Sequence, residues 1–302
     1  MNQNVLKKLE EILDKDRLLT EEPMKNHITF KVGGNADIFV LPKVSEVAEV
    51  LKICKDFTEP VTIVGNGSNL LVGDKGIRGV VVNIGKNMRN IEVEGDTLRV
   101  EAGATLAAAA MAAARAGLSG LEFASGIPGT FGGAVVMNAG AYGGEIKDIL
   151  ASVSVLDKEG QVRQLLAEEL DLSYRHSNIP EQGYVVLSGI LKLEKKDPNL
   201  IEAYMEELRE KRIEKQPLEY PSAGSTFKRP EGYFAGKLIM DAGLSGFSVG
   251  DAAVSTKHCG FVINKGNATA ADVCELIDKI IQIVEEKYQV TLEPEVKKIG
   301  EF

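Results

Sequence analysis

Ser125-Gly126-Ile127-Pro128-Gly129-Thr130-Phe131-Gly132-Gly133-Ala134-Val135-Val136-Met137-Asn138-Ala139-Gly140-Ala141-Tyr142-Gly143-Gly144 is the stretch on which the reading of this chain turns. Glycines at this density describe a backbone that runs close to something bulky, or turns left-handed at several points, rather than a packed helix. Such a loop leaves peptide N–H groups unshielded, and these can cradle phosphate oxygens without side-chain charge. A flexible Gly/Ser linker is the bland alternative. It is disfavoured because Ile127, Phe131, Val135, Val136, Met137 and Tyr142 ask for burial.

A second glycine-rich turn lies upstream, where the apolar run Val61-Thr62-Ile63-Val64 enters Gly65-Asn66-Gly67-Ser68-Asn69-Leu70. It imitates a dinucleotide fingerprint, but Leu70 stands where that motif needs glycine, and Gly73, Gly76 and Gly79 would spoil the helix that should follow. What remains is a strand-to-loop junction offering backbone N–H groups and short amide and hydroxyl side chains. Alone it reads as a plain turn; its weight comes from the longer loop downstream.

Working outward, the pattern predicts an amphipathic helix over 1–19, two short strands over 28–42 around Gly33-Gly34, and a helix capped by Ser45. Between the two loops come a strand at 80–84, a hairpin turning at Gly95-Asp96, and an Ala-rich helix capped by Thr105 and ended by Gly117. Downstream lie strands at 151–156, 161–165 and 184–193, then a charged helix over 198–214. Helices at 234–241 and 269–288 follow, the latter opened by a Thr269/Asp272 box. This mixture makes an α+β chain, with a preferred domain boundary at Lys195-Lys196-Asp197-Pro198.

With 302 residues there is room for two domains, and a net charge of -9 argues against nucleic acid, whose phosphates need a basic surface. Any anionic ligand must therefore be met by a local cluster. Three cysteines without a C-x-x-C pair fit a reducing, cytoplasmic setting, and His27, His176 and His258 lack metal-ligand spacing, so no metal is expected. The N-terminus does not read as a signal peptide, and the apolar run 102–116 is shorter than the roughly 20 residues needed to span a bilayer.

Three polar clusters stand outside any obvious core. In Ser173-Tyr174-Arg175-His176-Ser177, Arg175 would suit a carboxylate through its planar fork, although a solvated loop explains the run equally well. In Gly224-Ser225-Thr226-Phe227-Lys228-Arg229, small residues expose Ser225 beside two cations. The G-x-S-x-G elbow is missing, so a proton-donating hydroxyl is a more economical role than a hydrolase nucleophile. In Leu292-Glu293-Pro294-Glu295-Val296 one carboxylate can point inward, while solvent exposure is the ordinary expectation so near a chain end.

Taken together, these five motifs, in this order from about Ile28 to the C-terminus, resemble the UDP-N-acetylenolpyruvoylglucosamine reductase family, and their spacing resembles its shorter, type II form. The resemblance implies a lead-in over 1–27, an FAD-binding domain of the vanillyl-alcohol-oxidase/PCMH type over 28–195, and a smaller α+β substrate domain over 196–302. Val64, Gly65, Asn66, Gly67, Ser68 and Asn69, with Gly126, Ile127, Pro128, Gly129 and Thr130, would hold the FAD pyrophosphate. Gly133, Asn138, Gly140 and Ala141 would lie near the flavin or its ribityl chain. Arg175, Ser225 and Glu295 match the catalytic trio, and Tyr142, Lys215, Lys228 and Arg229 are candidates for substrate contacts.

On the same resemblance the chain would be a cytoplasmic monomer. It would use non-covalent FAD and NADPH to reduce the enolpyruvyl group of UDP-N-acetylglucosamine enolpyruvate to UDP-N-acetylmuramate, a peptidoglycan precursor, with no nucleic-acid or membrane partner. Arg175 would hold the substrate carboxylate, Ser225 would give a proton to C2, and Glu295 would assist. Two rivals remain at this stage: a flavin oxidase or dehydrogenase of the same fold acting on another substrate, and a catalytically silent nucleotide-binding module. The absence of G-x-x-x-x-G-K-[ST] weakens the second.

Overall fold

The structure is a computed structural model that describes residues 2–302. The chain folds into two compact units, neither continuous in sequence, and crosses from one to the other after Leu19, Ile38, Asn66, Arg78 and Arg212.

The first unit opens with helix α1 (Gln3–Glu10), whose apolar side buries Val5 and Leu9. The helix expected to reach residue 19 stops there; a 3-10 turn, Lys15–Arg17, follows, and the chain extends from Leu18. The reason is the buried Arg17, whose guanidinium is drawn onto Asp14 (2.8 Å) and onto Glu46, the latter 3.0 Å from Nη2. Helix α2 (Val44–Asp56) packs through Val47, Val50, Ile53 and Cys54. Its cap is Lys43, not Ser45, because the Glu46 carboxylate reaches back to accept the Lys43 N–H at 2.8 Å.

Strand Val61–Val64 then runs parallel to residues 80–83. A five-stranded antiparallel sheet follows, in the spatial order Val162–Leu166, Leu150–Leu156, Val185–Lys192, Thr97–Glu101, Ile91–Glu94. Helix α3 (Leu106–Arg115) is capped by Thr105 and ends at Gly117, which takes φ +68°. The glycine-rich stretch does hold a helix, α4 (Phe131–Val136), contrary to the reading of it as loop throughout. Phe131 anchors it, and its ring occupies the space a side chain at Gly189 would need, 2.7 Å away. The unit is completed by the single turn α5 (Ile179–Gln182) and most of α6 (Pro198–Lys215).

In the second unit, residues 28–34 form no strand. Lys31 and Gly33 both take positive φ (+54° and +114°), and the Phe30 and Lys31 carbonyls accept from the Asn264 side chain. Helix α7 (Ala235–Asp241) precedes a small antiparallel sheet in the order Ser248–Val249, Ala252–Val254, Val262–Asn264. Helix α8 (Ala270–Tyr288) buries Val273, Leu276, Ile277, Ile280 and Val284. Its first turn has two caps, the Thr269/Asp272 box and Asp74, whose carboxylate accepts the Ala270 and Ala271 N–H groups at 2.8 and 2.9 Å. The C-terminal strand Lys297–Ile299 lies parallel to Leu70–Val72, so the chain end secures the segment that follows the first glycine-rich turn. Among the described residues no helix is long and apolar enough to cross a membrane.

Burial works against the ionised Glu46 carboxylate, but the hydrogen bonds from Arg17 and from the Lys43 backbone outweigh it and hold the group below the usual carboxylate range. A depressed folded-state pKa stabilises at every pH above the unfolded value of about 4.3, and that stabilisation is lost as pH falls through the lower folded value. Glu46→Gln should therefore lower unfolding stability at pH 7 by roughly 1–3 kcal/mol. In urea titrations the deficit should shrink as pH falls below about 4.3 and the carboxylate becomes protonated; a deficit undiminished in acid would show that the charge is not its source.

Candidate active site

Within the first unit the two glycine-rich loops meet. A methyl group on Gly65 would stand 2.4 Å from the Thr130 hydroxyl, so only glycine lets the strand end approach the second loop. The Asn66 side-chain amide donates to the Pro128 carbonyl at 2.6 Å, and Asn83 donates to the Gly65 carbonyl at 2.9 Å. The second loop is fixed from behind: Leu106 N–H donates to the Gly129 carbonyl, and Phe131 N–H to the Ala104 carbonyl. Thr130, as expected of a threonine ahead of a helix, caps α4. The N–H groups of Asn66, Gly126 and Gly129 find no acceptor among the described residues, and all three residues are at least partly exposed.

One cation at this place was not among the sequence candidates. Arg212 of α6 lies against Gly126, its Nη1 3.2 Å from where a methyl group on that glycine would sit. Burial lowers the pKa of its guanidinium, which the nearby Tyr142 phenol partly offsets. Nothing in the local pattern of a charged helix separates Arg212 from Arg209 or Lys211; only half-burial against the loop does.

Gly67, Ser68 and Asn69 belong to the second unit. Gly67 takes φ +61° and is wedged against the His27 carbonyl. The Asn69 side chain donates to the Glu295 carbonyl at 3.1 Å, and Lys297 N–H returns to the Asn69 carbonyl at 2.9 Å.

Arg175 is placed by the far end of the long loop. Asn138, wholly buried at φ +41°, donates from Nδ2 to the Ser173 carbonyl and to Glu145, both at 2.9 Å, and accepts the Lys147 N–H at 2.9 Å. Ser177 fixes the other side of the 173–177 turn by donating to the Val136 carbonyl at 2.7 Å. At the turn's corner Arg175 holds φ +56°, a left-handed conformation that costs a residue with a β-carbon roughly 1–2 kcal/mol. Its Nη2 donates to the Gly140 carbonyl at 3.2 Å, and its guanidinium lies 4.9 Å from the centre of the Tyr174 ring. Gly140 and Ala141 pair with Glu145 and Gly144 in a tight hairpin whose corner, Tyr142, is exposed at φ +52°. The Lys147 ammonium, with the Asn138 amide and the charge of Arg175, holds Glu145 below the usual carboxylate range against the effect of burial.

In the second unit Ser225, by sequence, and Glu295, by a backbone hydrogen bond, both adjoin one anchor, Thr226. Thr226 is buried; its N–H donates to the Gly260 carbonyl (2.8 Å), its hydroxyl accepts the Val262 N–H (2.9 Å), and its carbonyl accepts the Glu295 N–H (2.8 Å). Phe227 faces Pro294 across an antiparallel bridge, and Lys228 N–H donates to the Glu293 carbonyl at 2.8 Å. Ser225 is exposed and Glu295 half-buried on this junction. Lys228 is engaged by Glu293, and Arg229 stacks 4.1 Å from the centre of the Phe234 ring. Lys215 is exposed at the last residue of α6. No group of His, Cys, Asp and Glu side chains among the described residues is arranged to hold a metal.

Comparison with known proteins gives this geometry a family. Residues 36–166 match the FAD binding domain family, and residues 216–299 match the C-terminal domain of UDP-N-acetylenolpyruvoylglucosamine reductase. The chain is 58% identical over 314 aligned positions to the UDP-N-acetylenolpyruvoylglucosamine reductase of Agathobacter rectalis, covering 100% of both chains. It is 54% identical to that of Lachnoclostridium phytofermentans, covering 100% of this chain and 99% of the relative. The crystal structure of the Thermus caldophilus enzyme superposes with a TM-score of 0.80 at 37% identity, over 93% of this chain and 97% of that one. An alkyldihydroxyacetonephosphate synthase, 16% identical with a TM-score of 0.50 over 65% of this chain and 44% of its own, shares the fold alone. The chain therefore belongs to the UDP-N-acetylenolpyruvoylglucosamine reductase family, FAD-containing oxidoreductases of peptidoglycan precursor synthesis.

Proposed function

We propose that this protein reduces the enolpyruvyl group of UDP-N-acetylglucosamine enolpyruvate to UDP-N-acetylmuramate, with NADPH as reductant and FAD bound non-covalently. Residues 28–195 serve the cofactor in this reading and 196–302 the substrate, a division supported by the family matches at 36–166 and 216–299. The observation that carries the assignment of roles is the Thr226 junction, where the exposed Ser225 adjoins a residue whose carbonyl accepts the Glu295 N–H.

The residues present fit FAD. Gly65 and Gly126 let the two loops and Arg212 approach closely, and the N–H groups of Asn66, Gly126 and Gly129 can donate to a diphosphate. Arg212 adds positive charge beside them, which an acidic protein needs at that point. When bound, FAD would supply hydride transfer, from NADPH to C3 of the enolpyruvyl group.

Negative charge then grows on C2 and the adjoining carboxylate. Arg175 holds that carboxylate with a guanidinium already fixed by Gly140 and Tyr174, so the stabilisation strengthens as charge develops and needs no reorganisation. Ser225 gives its hydroxyl proton to C2. Glu295 assists as a neutral acid or by sharing that proton, because a bare carboxylate beside developing negative charge would raise the barrier. Tyr142, Lys215, Lys228 and Arg229 contact the substrate in this reading.

Purified protein should show a flavin absorption spectrum that bleaches anaerobically on NADPH and returns on adding the enolpyruvyl nucleotide. A colourless protein, or a reduced flavin that the nucleotide fails to reoxidise, would refute the assignment. Ser225→Ala should leave reduction by NADPH within about twofold while slowing reoxidation by substrate by about 100-fold or more in stopped-flow traces. Equal loss in both half-reactions would remove Ser225 from the proton-donor role.

A further inference from the structure

Arg175 is held by a turn that lacks the conformational ease of glycine, so something must enforce its geometry before substrate arrives. Ser173 and His176 close that turn with mutual N–H to carbonyl bonds of 3.2 and 3.1 Å, which leaves Tyr174 and Arg175 as its corners. From the glycine-rich segment the Asn138 carboxamide grips the turn's own backbone through the Ser173 carbonyl. A carboxamide is almost symmetrical in shape, and its orientation is decided only by what faces each end. At Asn138 the Oδ1 end meets the Lys147 N–H, a pure donor, and the Nδ2 end meets the Glu145 carboxylate, a pure acceptor. Glu145 is in turn the hairpin partner of Gly140, whose carbonyl lies under the Arg175 guanidinium.

We propose that Glu145 is a positioning residue for the reaction. It orients Asn138, which sets the Ser173 carbonyl and with it the turn that presents Arg175, and its negative charge steadies the guanidinium on the Gly140 side. Lys147, 2.9 Å from the Glu145 carboxylate, keeps that charge in place. The inference rests on reading Arg175 as the group that holds the substrate carboxylate. Glu145 would matter only to ligands that carry one.

Calorimetric titration of the FAD-loaded protein with two nucleotides tests this: UDP-N-acetylmuramate, which has the carboxylate, and UDP-N-acetylglucosamine, which lacks it. Glu145→Gln should weaken the first by about tenfold, the worth of one charge-assisted hydrogen bond, and the second by less than about twofold. Glu145→Asp, which keeps the charge, should recover part of the loss. In an Arg175→Met background, Glu145→Gln should add nothing further, since it acts through Arg175. Equal weakening of both nucleotides, or none of either, would overturn the proposal; so would a loss that persists undiminished in the Arg175→Met background. If Arg175→Met itself fails to discriminate between the nucleotides, the reading of Arg175 falls with it. If Arg175→Met discriminates and Glu145→Gln does not, only the role of Glu145 is lost.

Discussion

A backbone built largely of glycine cannot hold itself in place, and the whole candidate site depends on how that problem is solved. Glycine loses more conformational freedom on ordering than any other residue, and it brings no side chain to anchor the chain it belongs to. Here the anchors are asparagines. Asn66 ties to the Pro128 carbonyl, Asn83 to Gly65, Asn138 to Ser173, and in the second unit Asn69 to Glu295 and Asn264 to Phe30. A carboxamide donates and accepts at once, so it can stand in for a missing strand partner without introducing charge.

The arrangement also explains where strain is stored. Asn138, Tyr142 and Arg175 are non-glycine residues in the left-handed region, and all three belong to the segment 138–147 or to the turn docked on it. Such conformations persist only where neighbours over-determine them. The tight hairpin at 140–145, the buried carboxamide and the two-bond closure of the 173–176 turn supply that over-determination. A guanidinium held in this way can meet a developing charge without first reorganising, which is the property that transition-state stabilisation requires.

In the second unit the same logic is met by a different device. Thr226 uses its N–H, its carbonyl and its hydroxyl on three separate partners, so the residues on either side have little freedom. Ser225 is left exposed on one side of a buried anchor, and the Glu295 backbone N–H is held by the Thr226 carbonyl. The main chain on both sides of this anchor is thereby fixed.

Much of this was legible from residue order alone. Caps and turns depend on neighbours a few residues apart, so the Thr105 cap, the Thr269/Asp272 box, the Gly95-Asp96 hairpin and the strand running into Gly65 are all where the pattern puts them. Glycine spacing likewise singled out both loops, and five motifs in order identified the family. What could not be read was any feature decided by a distant partner. Helix α1 ends early because Arg17 is drawn to Glu46, 28–34 is not a strand because Asn264 takes its carbonyls, and a short helix interrupts the long loop because Gly189 makes room for Phe131. Glu145 and Arg212 look like ordinary surface charges in the sequence; only folding sets one against Asn138 and the other against Gly126. Local chemistry determined the loops, the caps and the family, whereas tertiary structure decided which charges serve them, because hydrogen bonds between residues far apart in the chain leave no periodic trace along it.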